Sequence, residues 1–122
     1  MRKLLVIGLL GLAAVGFNAM AHGPAVAEHG GVVAEAGDLS FELVSRGEVA
    51  ALYVVDHDDP VDVAKMSGKL TVLTGKVKSE AALKPAGGNK LEAQAKLARG
   101  AKVVASVLPG DGRTITVRFT VK

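Results

Sequence analysis

The sequence predicts an all-β protein, an immunoglobulin-like antiparallel β-sandwich of seven or eight short strands, placed after a cleaved signal peptide. Three observations lead there. From Gly31 onward apolar residues recur with a period of two, as half-buried strands require. Turn residues break that pattern about every eight to twelve positions, the spacing of short strands in a sandwich or barrel. The closing segment alternates most cleanly of all, with Ile115, Val117, Phe119 and Val121 on one face and Thr114, Thr116, Arg118 and Thr120 on the other.

Taken in order, a first strand is expected over 31–36, and Gly37-Asp38 turns the chain into a second over 39–45, where Phe41 and Leu43 share a face. Arg46-Gly47 is a tight-turn pair, so a hairpin should lead into a third strand over 48–55. That strand is apolar on both faces, which predicts a central position. Tyr53 within it is expected in the core, with its hydroxyl reaching a polar rim. Asp56-His57-Asp58-Asp59-Pro60 reads as a loop, because these side chains bond their own backbone and proline cannot donate to a ladder. A short edge strand is expected over 61–64, a further strand over 69–74, a bend at Gly75 and a continuation over 76–83. Pro85-Ala86-Gly87-Gly88-Asn89 is the strongest turn signal in the chain. Residues 90–97 are good helix formers by type, yet Leu91, Ala93, Ala95 and Leu97 alternate strictly with polar residues, so a strand is expected. Another follows over 101–107, then the turn Pro109-Gly110-Asp111-Gly112 and the closing strand. The core should contain Phe41, Leu43, Leu52, Val54, Leu70, Val72, Leu91, Val103, Ile115, Val117 and Phe119.

Residues 1–21 have the three parts of an export signal: a basic start at Arg2-Lys3, an uncharged apolar run over 4–17, and Ala19-Met20-Ala21 as a small-x-small cleavage site. The apolar run is shorter than the roughly 20 residues needed to span a bilayer, so no membrane span is expected after processing. Three segments follow: 1–21 as signal peptide, 22–30 as a flexible N-terminal segment and 31–122 as one β-sandwich domain. Export to the periplasm is the implied destination. The sequence has no cysteine, so the apolar core must stabilise the domain without disulfides in an oxidising compartment.

Removing the signal takes Arg2 and Lys3 from fifteen basic residues, leaving thirteen against twelve acidic ones. A nearly neutral chain whose aromatic residues past the signal are Phe41, Tyr53 and Phe119 has neither the charge nor the stacking surface of a nucleic-acid binder. Gly-x-Ser-x-Gly, a cysteine nucleophile and His-Glu-x-x-His are all missing, so a non-enzymatic role is expected. Gly68-Lys69 and Gly75-Lys76 lack the spacing of a phosphate loop and read as turn glycines around a strand.

The histidines carry the remaining chemistry. Cleavage after Ala21 would make His22 the first residue, so one residue would bring an α-amine and an imidazole to a single ion, a nitrogen-rich pair suited to Cu(II). Pro24 has no amide hydrogen to lose, so coordination cannot run along the backbone past Gly23. A tight site then needs another side chain, and His29 or His57 is the candidate, with Asp56 or Asp58 as a weaker oxygen ligand. The competing reading leaves His22 as an accident of cleavage, His29 as a solvated residue before a Gly-Gly bend, and His57 in a polar loop. Asp56, Asp58, Asp59 and Asp62 lack the spacing of a calcium loop and read as a solvated turn. Met66 is the one methionine past the signal, and a single thioether argues against a methionine-rich Cu(I) site.

His29-Gly30-Gly31, Phe41-Glu42-Leu43-Val44, Leu52-Tyr53-Val54 and Val117-Arg118-Phe119 together resemble small proteobacterial periplasmic proteins associated with heavy-metal efflux. A similar pattern opens some periplasmic adaptor subunits of heavy-metal efflux pumps, whose helical hairpin and lipoyl-type segments this chain lacks. The start at His22 also resembles periplasmic copper-resistance β-barrels of immunoglobulin-like topology. Those proteins carry an Asp-x-His pair near the final strands, where this chain has Asp111-Gly112-Arg113. The resemblances imply a periplasmic metal-binding accessory protein that takes Cu(II) or Zn(II), has no organic cofactor, and is linked to heavy-metal resistance through an efflux component as partner. The alternative is a metal-free β-sandwich that serves as a protein-interaction module through an exposed strand edge or apolar patch.

Overall fold

The computed structural model describes residues 26–122. The stretch expected to be a signal peptide, its expected cleavage site, His22 and Pro24 lie outside the described residues. Within them the chain is all β, with nine antiparallel strands in one nearly closed, barrel-like sheet. The strands are β1 (Val32–Ala36), β2 (Leu39–Arg46), β3 (Val49–Asp56), β4 (Asp59–Pro60), β5 (Ser67–Thr74), β6 (Val77–Pro85), β7 (Lys90–Ala93), β8 (Lys102–Leu108) and β9 (Ile115–Thr120). Among the described residues no helix is long and apolar enough to cross a membrane.

Around the sheet the order is β1-β2-β3-β7-β6-β5-β8-β9, with β4 paired to β3. The two end strands come side by side: a Cβ placed on Gly37 at the end of β1 would meet the Ile115 side chain of β9 at 3.2 Å. A second seam lies between β6 and β7, where pairing is confined to Lys84 with Glu92 and Pro85 with Leu91.

Tight hairpins set the register. Arg46 pairs with Val49 across Gly47-Glu48, and Gly47, at φ 68°, takes the left-handed position that leads a two-residue hairpin turn. Inside the barrel, period-two alternation gathers one apolar core. All eleven residues expected there are buried, joined by Val63, Met66, Leu83, Leu97, Val107 and others.

Several elements depart from expectation. There are nine strands rather than seven or eight. Residues 56–60 are not a loop: Asp56 pairs with Asp59 and Val55 with Pro60, so β3 and β4 form a hairpin whose two-residue turn is His57-Asp58, at φ 48° and 75°. Pro60 is tolerated because, among the described residues, β4 is an edge with no strand beyond it to receive an N–H. The edge strand expected over 61–64 is therefore Asp59–Pro60 instead. Gly75 is likewise a hairpin turn rather than a bend, since Thr74 pairs with Val77. In 90–97 the ladder stops at Ala93, although the alternation of burial continues to Leu97. Tyr53 is buried but belongs to a separate cluster with Val44 and Ala51 on the outer face of β2 and β3. It faces away from the core that was expected to hold it.

Candidate functional site

That outer face is where the chemistry gathers. In β2 and β3, Phe41, Leu43, Leu52 and Val54 point into the barrel, so Ser40, Glu42, Tyr53 and Val55 point out. Glu42 is the one charged residue that is buried among the described residues, at 6 % exposure. A buried carboxylate must be fully hydrogen-bonded or it neutralises. Glu42 is covered by the segment preceding β1, whose backbone it holds. Its Oε1 accepts the Glu28 N–H at 3.0 Å, and its Oε2 accepts the N–H groups of His29 and Gly31, each at 2.8 Å.

The fourth partner is the His29 ring, with Nδ1 3.0 Å from Oε1. An ionised carboxylate can only accept, so Nδ1 carries the proton and Nε2 of the neutral ring keeps its lone pair. Burial pushes the Glu42 carboxyl up, but the hydrogen bonds from His29, Gly31 and Glu28 outweigh it and hold the group below the usual carboxylate range. The other side of the imidazole lies flat on Tyr53, with ring centroids 3.7 Å apart and planes 5° from parallel. Tyr53 is itself fixed by Arg46, whose Nη2 donates to the phenolic oxygen at 2.9 Å. Gly31 lets the segment lie this close: a Cβ there would collide with the Leu43 carbonyl oxygen and come within 2.8 Å of the Val44 Cγ2.

Beside this strap runs an open groove of about 710 Å³, whose lining includes Val26, Glu28 and His29 and, from the β3–β4 turn, His57 and Asp58. Glu28, Glu35, Asp38, Glu42 and Asp58 line it, and among the described residues no lysine or arginine does. Its potential therefore favours cations. His57 is highly exposed, and its Nδ1 lies 2.6 Å from Asp56 Oδ1. That hydrogen bond, and then the charge of Asp56 with smaller contributions from Asp38 and Asp58, raises the imidazole above its ordinary 6.5, against a slight opposing effect of burial.

Of the five candidate ligands, His29, His57 and Asp58 thus line one groove, Asp56 holds the ring of His57, and His22 lies outside the described residues. Among the described residues no three histidine, aspartate or glutamate side chains are gathered into a cluster that could hold a metal ion. Asp111, near the last strand, is taken up by Arg113, whose Nε donates to it at 2.8 Å and whose backbone N–H donates at 3.0 Å. Asp62 is likewise occupied, accepting the Ala64 N–H at 2.9 Å.

Sequence reasoning had not singled out Glu42 or Arg46 as functional. The available signal was a carboxylate at an outward position followed by outward Val44, an unusually apolar neighbour for a charge. Comparison of the chain with protein-family models, curated proteins and solved structures finds no match in any of the three.

Proposed function

We propose that this chain is a periplasmic, non-enzymatic metal-binding accessory protein that takes Cu(II) or Zn(II) in the acidic groove. One observation carries the reading: His29, which lines a groove with several acidic groups, is oriented by a buried carboxylate on Nδ1 and by a stacked ring, so that Nε2 is the ring nitrogen left to ligate. Imidazoles that ligate metals are held in this way, since the carboxylate fixes the tautomer and raises the basicity of the opposite nitrogen. His57, held by Asp56 through its own Nδ1, lines the same groove.

The donor set fits a borderline divalent ion: imidazole nitrogen first, carboxylate oxygen second, and no thiolate. Two described histidines do not complete a tight site, and His22 would supply what is missing. Val26 lines the groove, so a chain starting at His22 has a reach of about 14 Å from that residue, enough to bring an amine and an imidazole to His29 or His57. Export, processing after Ala21 and a link to heavy-metal resistance belong to the same reading, as does an immunoglobulin-like sandwich for the finer fold. Support for the sandwich comes from two strand groups, β1-β2-β3-β7 and β5-β6-β8-β9, that share one core.

The test is calorimetric titration of the exported protein with Cu(II) and Zn(II), after mass spectrometry has established its first residue. His29→Ala and His57→Ala should each weaken binding at least about tenfold, and an added N-terminal alanine should do the same. Unchanged affinity in both histidine variants ends the metal reading and leaves the interaction module.

A further inference from the structure

Among the described residues, the second seam of the barrel leaves β6 with an open edge. β6 pairs with β5 from Val77 to Leu83, but on its other side only Lys84 and Pro85 meet β7. Residues 77–80 are all exposed, and Val77 at 69 % is one of the most exposed large apolar side chains described. In a two-residue hairpin the closing pair, here Thr74 and Val77, exchanges both main-chain hydrogen bonds. Donors and acceptors therefore alternate along β6, and those of Lys78, Glu80 and Ala82 point away from β5 into the open edge. A strand left in this state is a template for another strand.

We infer that this edge pairs with the same edge of a second copy of the chain, antiparallel about a two-fold axis at Ser79. The register follows from charge. With both copies presenting the same face, an axis at Ser79 sets Lys78 opposite Glu80 of the partner subunit and Glu80 opposite Lys78 of the partner subunit. It also sets Val77 opposite the small side chain of Ala81 of the partner subunit, covering exposed apolar surface. An axis at Glu80 would oppose two glutamates, and one at Lys78 two lysines. Moving to Ala81 would oppose Lys78 and Lys84. An axis at Ala82 would also match Glu80 with Lys84 of the partner subunit, but Lys84 already pairs with Glu92 of β7, so Ser79 is the centre within the unpaired stretch that matches opposite charges, and it also joins the free groups of Lys78 and Glu80 as hydrogen-bonded pairs. The Lys69 amino group, 3.4 Å from Glu80 within the same chain, lies on the neighbouring strand and adds positive charge beside the same carboxylate.

The acidic groove lies on the outer face of β1 to β4, away from this edge, so dimerisation does not depend on the metal reading. The experiment is sedimentation equilibrium of the full chain and of three variants without added metal, over micromolar to millimolar concentration. The wild type should reach twice the monomer mass. Lys78→Glu and Glu80→Lys should each weaken association by about tenfold or more, because each places like charges opposite one another at two symmetric positions. The double variant Lys78→Glu/Glu80→Lys should restore it. Hydrogen exchange should show the Lys78 and Glu80 amides slowing as protein concentration rises. A wild type that stays monomeric to millimolar concentration overturns the inference, and so does a double variant no better than the singles.

Discussion

Replacing Glu42 with glutamine should undock the strap while leaving the barrel folded. The carboxylate accepts three backbone N–H groups and one ring N–H. Charge-assisted hydrogen bonds contribute about 1.5–3 kcal/mol each, so four give about 6–12 kcal/mol. The stacked imidazole adds about 0.5–1.5 kcal/mol. Ordering the backbone of Glu28 to Gly31 costs about 1–2 kcal/mol per residue, or about 4–8 kcal/mol. The difference is only a few kcal/mol in favour of docking. Glutamine keeps one neutral oxygen, worth about 0.5–1.5 kcal/mol per bond, and turns an NH₂ toward groups that are themselves donors. Docking then loses more than its margin.

The chain contains one tyrosine and no tryptophan, so intrinsic fluorescence reports Tyr53 alone, directly beneath the His29 ring. In Glu42→Gln the emission should change, and the His29 and Gly31 amides should exchange as in an unfolded peptide. Core amides of β3 and β8 should remain protected. The same transition should be reachable with acid. Because the Glu42 carboxyl titrates lower in the folded chain than its ordinary 4.5, its contribution is fully present above that value and is lost as pH falls through the lower folded value. Wild-type Tyr53 emission should therefore change below pH 4.5, and Glu42→Gln should lack that step. If Glu42→Gln keeps wild-type emission and amide protection, the carboxylate does not hold the strap.

Further outcomes follow from the same geometry. Asp56→Asn removes the hydrogen bond and the charge that raise His57, so its imidazole should titrate lower and closer to 6.5 by NMR; the raised value means the Asp56 interaction favours the folded state below 6.5 and fades as pH rises through the folded pKa. Gly31→Ala drives a methyl into the Leu43 carbonyl and within 2.8 Å of Val44 Cγ2, and should cost about 1–3 kcal/mol in urea unfolding, with loss of strap protection. His29→Phe keeps a flat ring over Tyr53 and all three backbone bonds to Glu42, so the strap should stay docked. Copper or zinc affinity should nonetheless fall as far as in His29→Ala, and a variant that retains affinity would take His29 out of the site.

The barrel interior was legible because period-two alternation is a local property. Leu91, Ala93 and Leu97 are buried where alternation put them, even though the ladder ends at Ala93 and good helix formers fill the segment. Tyr53 was misplaced because β3 is apolar on both faces, and alternation in such a strand cannot tell one face from the other. The His57-Asp58 turn was read as loop because Asp59 and Pro60 are poor strand residues; β4 exists only as an edge, where those residues cost least. Glu42 was the least legible, since its burial depends on residues 11 to 14 positions earlier in the chain folding back over β2. No pattern within β2 encodes that event.

The strap explains why the histidine before the Gly-Gly pair is ordered at all. Val44, Ala51 and Tyr53 make the outer face of β2 and β3 too apolar to face water without cost, and the chain covers it with its own preceding residues. A covering backbone brings N–H groups with no ladder partner, and each must be satisfied once water is excluded. One outward carboxylate at Glu42 satisfies three of them. Cover and satisfaction would be complete with any residue at position 29 that can lie on Tyr53. The imidazole alone gives Glu42 a fourth donor, and it leaves a lone pair on Nε2 of a residue that lines a groove of carboxylates that attract cations. The backbone bonds therefore account for the strap, and the ring is the part of it that structure alone does not require.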